Sequence, residues 1–258
     1  MLAEQNPHPR DCNIHLDERT HTYHIAINEV VVTSFMSVTK LVKSHFQPFD
    51  SQAALKTVRR SMNRKYIGMT DAAVLKKWRE DGKKAAEQGT TLHKKIEDFY
   101  NGEGFSIDEG CPDQEQFIQF WQDHKHELTP YRTEWEVYDE DAKLAGSIDM
   151  VFKDSAGKFL IYDWKRTKEI KPGKNYGKFG RGLARDLPDC NYWHYALQLN
   201  TYKFILSRRY GLEIDAMYLV RFHPESSGYE KIHLPDLQSL VSFILATRGG
   251  SLDDVSLC

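Results

Sequence analysis

Cysteine is scarce in this chain and isolated where it occurs: Cys12, Cys111, Cys190 and Cys258 stand alone in 258 residues, with no C-x-x-C pair. That spacing argues against a structural zinc or an iron–sulfur cluster held by closely spaced thiolates. Four scattered thiols fit a reducing, intracellular compartment, cytoplasm or nucleus. Long apolar runs are also missing. No stretch reaches a membrane span, and the mixed, acidic start, with Glu4, Asp11 and Asp17, resembles neither a secretory signal nor a transit peptide. Nor is there a charge surplus. The 35 lysines and arginines against 37 aspartates and glutamates leave −2, so any nucleic-acid binding has to come from charge placement. Repeats, low-complexity tracts and clear linkers are absent too. With 40% hydrophobic residues the chain can bury a full core. Its length suits one domain over 1–258, with an N-terminal hairpin and helical extension over 1–70 and a core over 71–247.

What is present alternates between two periodicities. Residues 22–33 alternate around Ile27-Asn28-Glu29, which predicts a hairpin, and 37–45 and 51–62 read as helices. A long helical pattern over 71–100 stops at Asn101-Gly102, and after an acidic loop containing Gly110-Cys111-Pro112 a further helix is expected over 114–128. Strands follow over 131–138, 143–152 and 158–165, then a helix over 191–210, a strand over 214–222 and a helix over 236–247. Helices before and after a run of strands make an α/β fold.

The chemistry concentrates in 146–165. Two apolar runs flank the turn Lys153-Asp154-Ser155-Ala156-Gly157-Lys158, which makes an antiparallel hairpin. Residues two apart on a strand share a face, so Asp163 and Lys165 project together, opposite Tyr162 and Trp164. Asp149 lies inside the apolar run of the first strand, where an unpaired carboxylate would cost several kcal/mol unless it meets a cation. Lys165 or a metal ion could be that cation, and a plain Asp-to-Lys ion pair would account for the hairpin taken alone.

Two further pieces of sequence bear on the choice. In the long helix, His93 and Glu97 are four apart and hence neighbours on one face; a lone histidine there also reads as a solvated or hydrogen-bonded group. In the 191–210 helix, Gln198 and Tyr202 are again four apart, with polar tips suited to a phosphate or a base, or an ordinary amphipathic face. The segment 165–185 carries one acid, Glu169, among many bases. Its Lys168, Lys171, Lys174, Lys178, Arg181 and Arg185 interleave with Tyr176 and Phe179, the pairing expected where phosphates are neutralised and bases stack. A second basic region spans 56–84, and acids gather over 97–123.

Taken in order, these residues resemble the RecB-like branch of the PD-(D/E)XK nuclease superfamily, which includes the mitochondrial genome maintenance exonuclease and related phage and viral enzymes. Gly89, His93 and Glu97 look like the family's helix motif. Asp149 after Gly146 looks like its first catalytic aspartate, without the proline that often precedes it. Asp163-Trp164-Lys165 looks like the acidic-x-lysine element, and Gln198 with Tyr202 like the glutamine–tyrosine motif. The resemblance covers 89–210, and 23–49 is similar to the start of some viral members.

The resemblance implies a restriction-endonuclease-like core, a mixed central sheet with helices on both faces. It also implies a metal-dependent deoxyribonuclease, an exonuclease acting on DNA ends or single strands in repair, recombination or replication, with proteins of those processes as partners. Hard oxygen donors with one imidazole suit Mg²⁺ or Mn²⁺, so His93, Asp149 and Asp163 are the ligand candidates, joined through the resemblance by the Trp164 carbonyl. Lys165 would orient or deprotonate the attacking water and offset charge on the phosphorane. Glu97 and Glu136 are further carboxylates for a second ion or for steadying the first set, and both equally read as surface groups. A structure-specific endonuclease for DNA or RNA and a subunit that binds DNA ends without cutting are the alternatives within this fold. A carboxylate-pair glycoside hydrolase leaves Lys165 and the basic segment unexplained.

Overall fold

The computed structural model describes residues 1–173 and 177–249. A short helix α1 (Leu2–Gln5) precedes a three-stranded antiparallel sheet of β1 (Ile14–Asp17), β2 (Thr22–Ile27) and β3 (Val30–Val32). The expected hairpin is β2–β3. Its two-residue turn holds Asn28 at φ 49° and Glu29 at φ 67°, the paired left-handed residues of a type I′ turn.

The chain then forms β4 (Met36–Ser37), α2 (Val38–Ser44), α3 (Ser51–Arg60), α4 (Asp71–Tyr100) and α5 (Pro112–His124). Side chains start three of these helices. Ser37 accepts from Lys40 N, Asp50 from Gln52 N and Ala53 N, and Thr70 from Ala73 N, each satisfying an otherwise orphaned N–H. The stop of α4 falls where Asn101-Gly102 predicted it, with Gly102 at φ +92°. Helix α5 starts two residues earlier than expected, because Pro112 suits a first helical position, and ends at His124.

Strands β5 (Thr129–Asp139), β6 (Leu144–Lys153) and β7 (Phe159–Arg166) lead to α6 (Asn191–Ile205), β8 (Ile214–Phe222), β9 (Glu230–His233) and α7 (Gln238–Gly249). The last five residues of the expected 191–210 helix, Leu206–Tyr210, form a wider π turn, closed by Gly211 at φ 65°. β4 through β9 make one mixed sheet in the order β4-β6-β7-β8-β9, with β5 on β6. The pairs β5–β6, β6–β7 and β8–β9 are antiparallel, and β4–β6 and β7–β8 are parallel. β1, β4, β9 and α1 lie outside the elements expected from the sequence.

Alternation along these strands feeds two cores. Val151, Ile161, Met217 and Leu219 face α2, α6 and α7, while Met150, Phe152, Tyr162, Trp164, Val220 and Phe222 face α4 and α5. The sheet is thus covered by helices on both faces, as a restriction-endonuclease-like core requires. One irregularity positions everything that follows. β6 pairs with β7 only over Met150–Lys153 and with β4 only at Leu144 and Ala145. Beyond Tyr162, β7 stays with β8 and leaves β6, so the two strands open as a fork below Asp149 and Asp163.

The N-terminal segment is tied to β5 by a charged anchor. Asp11 Oδ2 accepts from Arg132 Nη1 at 2.7 Å and Oδ1 from Trp135 Nε1 at 2.9 Å, and the Arg132 guanidinium is buried. Burial works against the Asp11 charge, but the Arg132 and Trp135 hydrogen bonds outweigh it and hold the carboxyl below its ordinary 3.8. Its contribution is therefore complete above that value and disappears as pH falls through the lower folded one. Asp11→Ala, which strands a buried guanidinium, is expected to cost about 3 kcal/mol in urea denaturation at pH 7. The gap between variant and wild type should narrow below about pH 4; a pH-independent gap would contradict the assignment.

Candidate active site

The fork leaves the Trp164 peptide without a strand partner on the β6 side, and side chains take that place. Trp164 N donates to Asp149 Oδ2 at 2.9 Å, and Trp164 O accepts from His93 Nε2 at 2.9 Å. With Nε2 donating to a carbonyl, Nδ1 of the neutral ring presents its lone pair to Asp149 Oδ2 at 3.5 Å and Glu134 Oε1 at 3.8 Å. Glu134 falls between the pairs Thr133↔Met150 and Trp135↔Ile148, across from Asp149, and accepts a 3.0 Å hydrogen bond from Ser147 Oγ. Its φ of 41° is unusual for a non-glycine residue in a strand. His93, Glu134 and Asp149 each offer a ligand atom within 4.8 Å of the others.

Beside this group, Lys165 forms a buried ion pair with Asp163, a charge contact with Oδ2 without an aligned hydrogen bond. The ammonium also lies 4.8 Å from the centre of the Tyr195 ring. Asp163 and Lys165 thus share a face, with Tyr162 and Trp164 buried in the opposite core.

Burial is the largest influence on the carboxyl of Asp163 and, with the Asp149 charge, outweighs Lys165 and lifts it to about 6. Burial also raises Asp149, against His93 and Lys165. On His93 burial acts downward, yet the Asp149 charge and the nearby Glu134 carboxylate prevail and raise the ring to about 9. The same contest, won by Asp163 and Asp149, holds the Lys165 ammonium above its usual range. A lone pair facing two carboxylates is favourable only with a positive species between them, and the protein supplies a proton at His93. One nitrogen and two carboxylate oxygens equally fit a divalent ion of the Mg²⁺ or Mn²⁺ kind, with the carbonyl bond to Nε2 orienting the ring.

No family model and no curated protein matches the chain. Among solved structures it is similar to a protein called SSO0001, with 15% identity and a TM-score of 0.35 over 85% of this chain and 77% of that one. It is also similar to a protein from Eubacterium rectale named "putative exonuclease", with 15% identity and a TM-score of 0.38 over 66% of this chain and 71% of that one. Likeness at that level carries no argument about activity, which has to come from the residues.

The other expected site residues are dispersed. Glu97 pairs with Lys94 at 3.0 Å, away from the ligand group. Glu136 lies opposite Ser147, two residues beyond Glu134, where burial raises its carboxyl. The carboxylate beside His93 and Asp149 is thus Glu134, which sequence reasoning missed, as it missed Tyr195. Tyr202, expected to meet DNA, is 3% exposed, and burial drives its hydroxyl well above the usual range. That burial leaves it no face for a base. Lys168 is ion-paired with Glu225 and Lys171 with Glu169, while Phe179 is half exposed. The Arg181 N–H donates to His45 O, and exposed Arg185 lies 4.0 Å from Asp186. Lys178 lines a cavity with Lys171, and Lys174 and Tyr176 lie outside the described residues.

Gly146 explains what Tyr202 does instead. A Cβ built at Gly146 would meet the Tyr202 ring and hydroxyl at 2.7 Å, so β6 and α6 approach closely only because that position is bare. Gly146→Ala should therefore destabilise by about 1–3 kcal/mol in urea denaturation. Tyr202→Leu in the same chain should recover part of that loss, and a double variant no better than the sum of the two changes would refute the contact.

Proposed function

We propose that the chain, as one domain over 1–258, is a divalent-metal-dependent DNA nuclease, most simply an exonuclease working on DNA ends or single strands in repair, recombination or replication. The observation that carries this reading is the convergence of His93, Glu134 and Asp149 on one point, with the Asp163–Lys165 pair beside them at the open end of a strand fork. His93, Glu134, Asp149 and Asp163 would hold the ion. When bound, it polarises the phosphodiester and lowers the pKa of a water. Lys165, fixed by Asp163 and resting on Tyr195, holds the attacking water and offsets the charge that develops on the phosphorane. The Trp164 peptide keeps Asp149 and His93 in register while the phosphate binds. Gly89, one turn before His93, has nothing within 4 Å of where a Cβ would be, which leaves that flank of α4 open to an approaching strand.

End-labelled single-stranded, blunt duplex and circular DNA, incubated with Mg²⁺, Mn²⁺ or EDTA, test the reading. Metal-dependent loss of linear but not circular DNA is expected. Lys165→Ala should retain the fold and lose about 10³-fold in rate, and Asp149→Asn should abolish cleavage; wild-type rates in either would sink the mechanism. Calorimetric titration with Mn²⁺ separates the two glutamates. Glu134→Gln and His93→Ala should weaken binding at least about tenfold, whereas Glu136→Gln leaves it unchanged. The reverse order would move the ion away from the fork.

A further inference from the structure

We infer that the cavity between the 45–50 loop and the start of α6 receives an unpaired base of the strand entering the fork, which fits the protein to single-stranded DNA; this rests on the nuclease reading. The cavity measures about 850 Å³, within the range of small-molecule sites and ample for one nucleotide. Its floor is aromatic and rigid. Phe46, 3% exposed, lies against the His194 ring at 3.9 Å between centres, and Asp189 fixes His194 by a 2.8 Å hydrogen bond. Its mouth carries Phe49, a large ring left 78% exposed with no core to fill.

The charges around the mouth complement a phosphate backbone. Lys43, Lys171 and Lys178 line it against Glu169 and Asp189. Asp189 is committed to His194 and Glu169 faces Lys171. An aromatic wall with lysines at its edge is the combination that binds single strands, with stacking for the base and ammonium groups for the backbone. A base in duplex is paired and stacked on both faces, and would have to be flipped out at a cost of a few kcal/mol to enter.

Position links this cavity to the fork. His194, on the cavity wall, is followed on α6 by Tyr195, which touches Lys165. Glu169, on another wall, is four residues beyond Lys165, at most about 14 Å along an extended chain. A strand whose phosphate lies at the fork can therefore place a base only a few nucleotides away in the cavity.

The test measures binding in EDTA, so that it does not depend on cleavage. Fluorescence anisotropy with a labelled oligothymidylate, the same backbone made abasic, and a blunt duplex is compared for wild type, Phe49→Ala and Lys43→Ala. Both side chains are exposed, so neither change threatens the fold. Phe49→Ala should weaken oligothymidylate binding about tenfold and leave abasic binding unchanged. Lys43→Ala should weaken both single strands alike and flatten the salt dependence. Equal affinity of wild type and Phe49→Ala for oligothymidylate, or equal losses on both strands, would overturn the inference. Phe49-dependent binding by a wild-type protein that cleaves nothing with Mg²⁺ or Mn²⁺ would support the cavity and overturn the nuclease reading alone.

Discussion

The Trp164 peptide holds the two halves of the site together. Its N–H clamps Asp149 of β6 and its carbonyl clamps His93 of α4, so one planar unit fixes a carboxylate and an imidazole that lie 56 residues apart in sequence. The peptide is available for this only because β6 has left β7 at that point; in a continuous ladder the same groups would bond to a strand. Its own position is set from the other face. The Trp164 indole is buried among Phe117, Phe120, Phe152 and Phe222, the aromatic core that joins α4 and α5 to the sheet. Site geometry therefore inherits the rigidity of a close-packed core rather than that of a loop.

Electrostatics pulls the other way. Three carboxylates, Glu134, Asp149 and Asp163, gather where Lys165, among the described residues, is the permanently positive group, and burial raises both aspartates. Buried charge of one sign is costly unless compensated, and the raised His93 ring is the compensation the chain makes for itself. Function and stability are opposed here. The packing that fixes Trp164 holds in place a group of acids that would otherwise separate, which keeps the arrangement proposed for a divalent ion formed in advance.

Much of this was legible in the sequence, and the gaps have identifiable causes. Asp163 and Lys165 followed from strand alternation, Asp149 from a carboxylate in an apolar run, and the end of α4 from Asn101-Gly102. Glu134 was passed over for Glu136 because alternation puts both on one face and cannot say which lies opposite Asp149. Register decides that, and register is set by the turn. With Asp139↔Leu144 closing the β5–β6 hairpin, counting back five residues on one strand and forward five on the other brings 134 to 149. The fork itself had no local signal, since it depends on β4 taking the place of β7 beside the start of β6. Edge strand β9 is four residues long and carries Glu230 and Lys231, too short and too charged to read as a strand.

Helix α6 shows why residue type alone misassigned Tyr202. Tyr195, Gln198 and Tyr202 are spaced three and four apart and so lie on one helical face, whose two tyrosines meet β7 at Lys165 and β6 at Gly146. Along that face Tyr195 carries the Lys165 ammonium and Tyr202 fills the space bared by Gly146, so the helix sets the depth of β6 and β7 by contact rather than by reaching solvent. His194, turned about 100° from Tyr195, faces the cavity instead. One rigid element thus measures the distance between the fork and the cavity. A small shift of α6, such as a side chain at Gly146 would force, displaces the lysine and the aromatic wall together, because no hinge lies between Tyr195 and His194 on the helix.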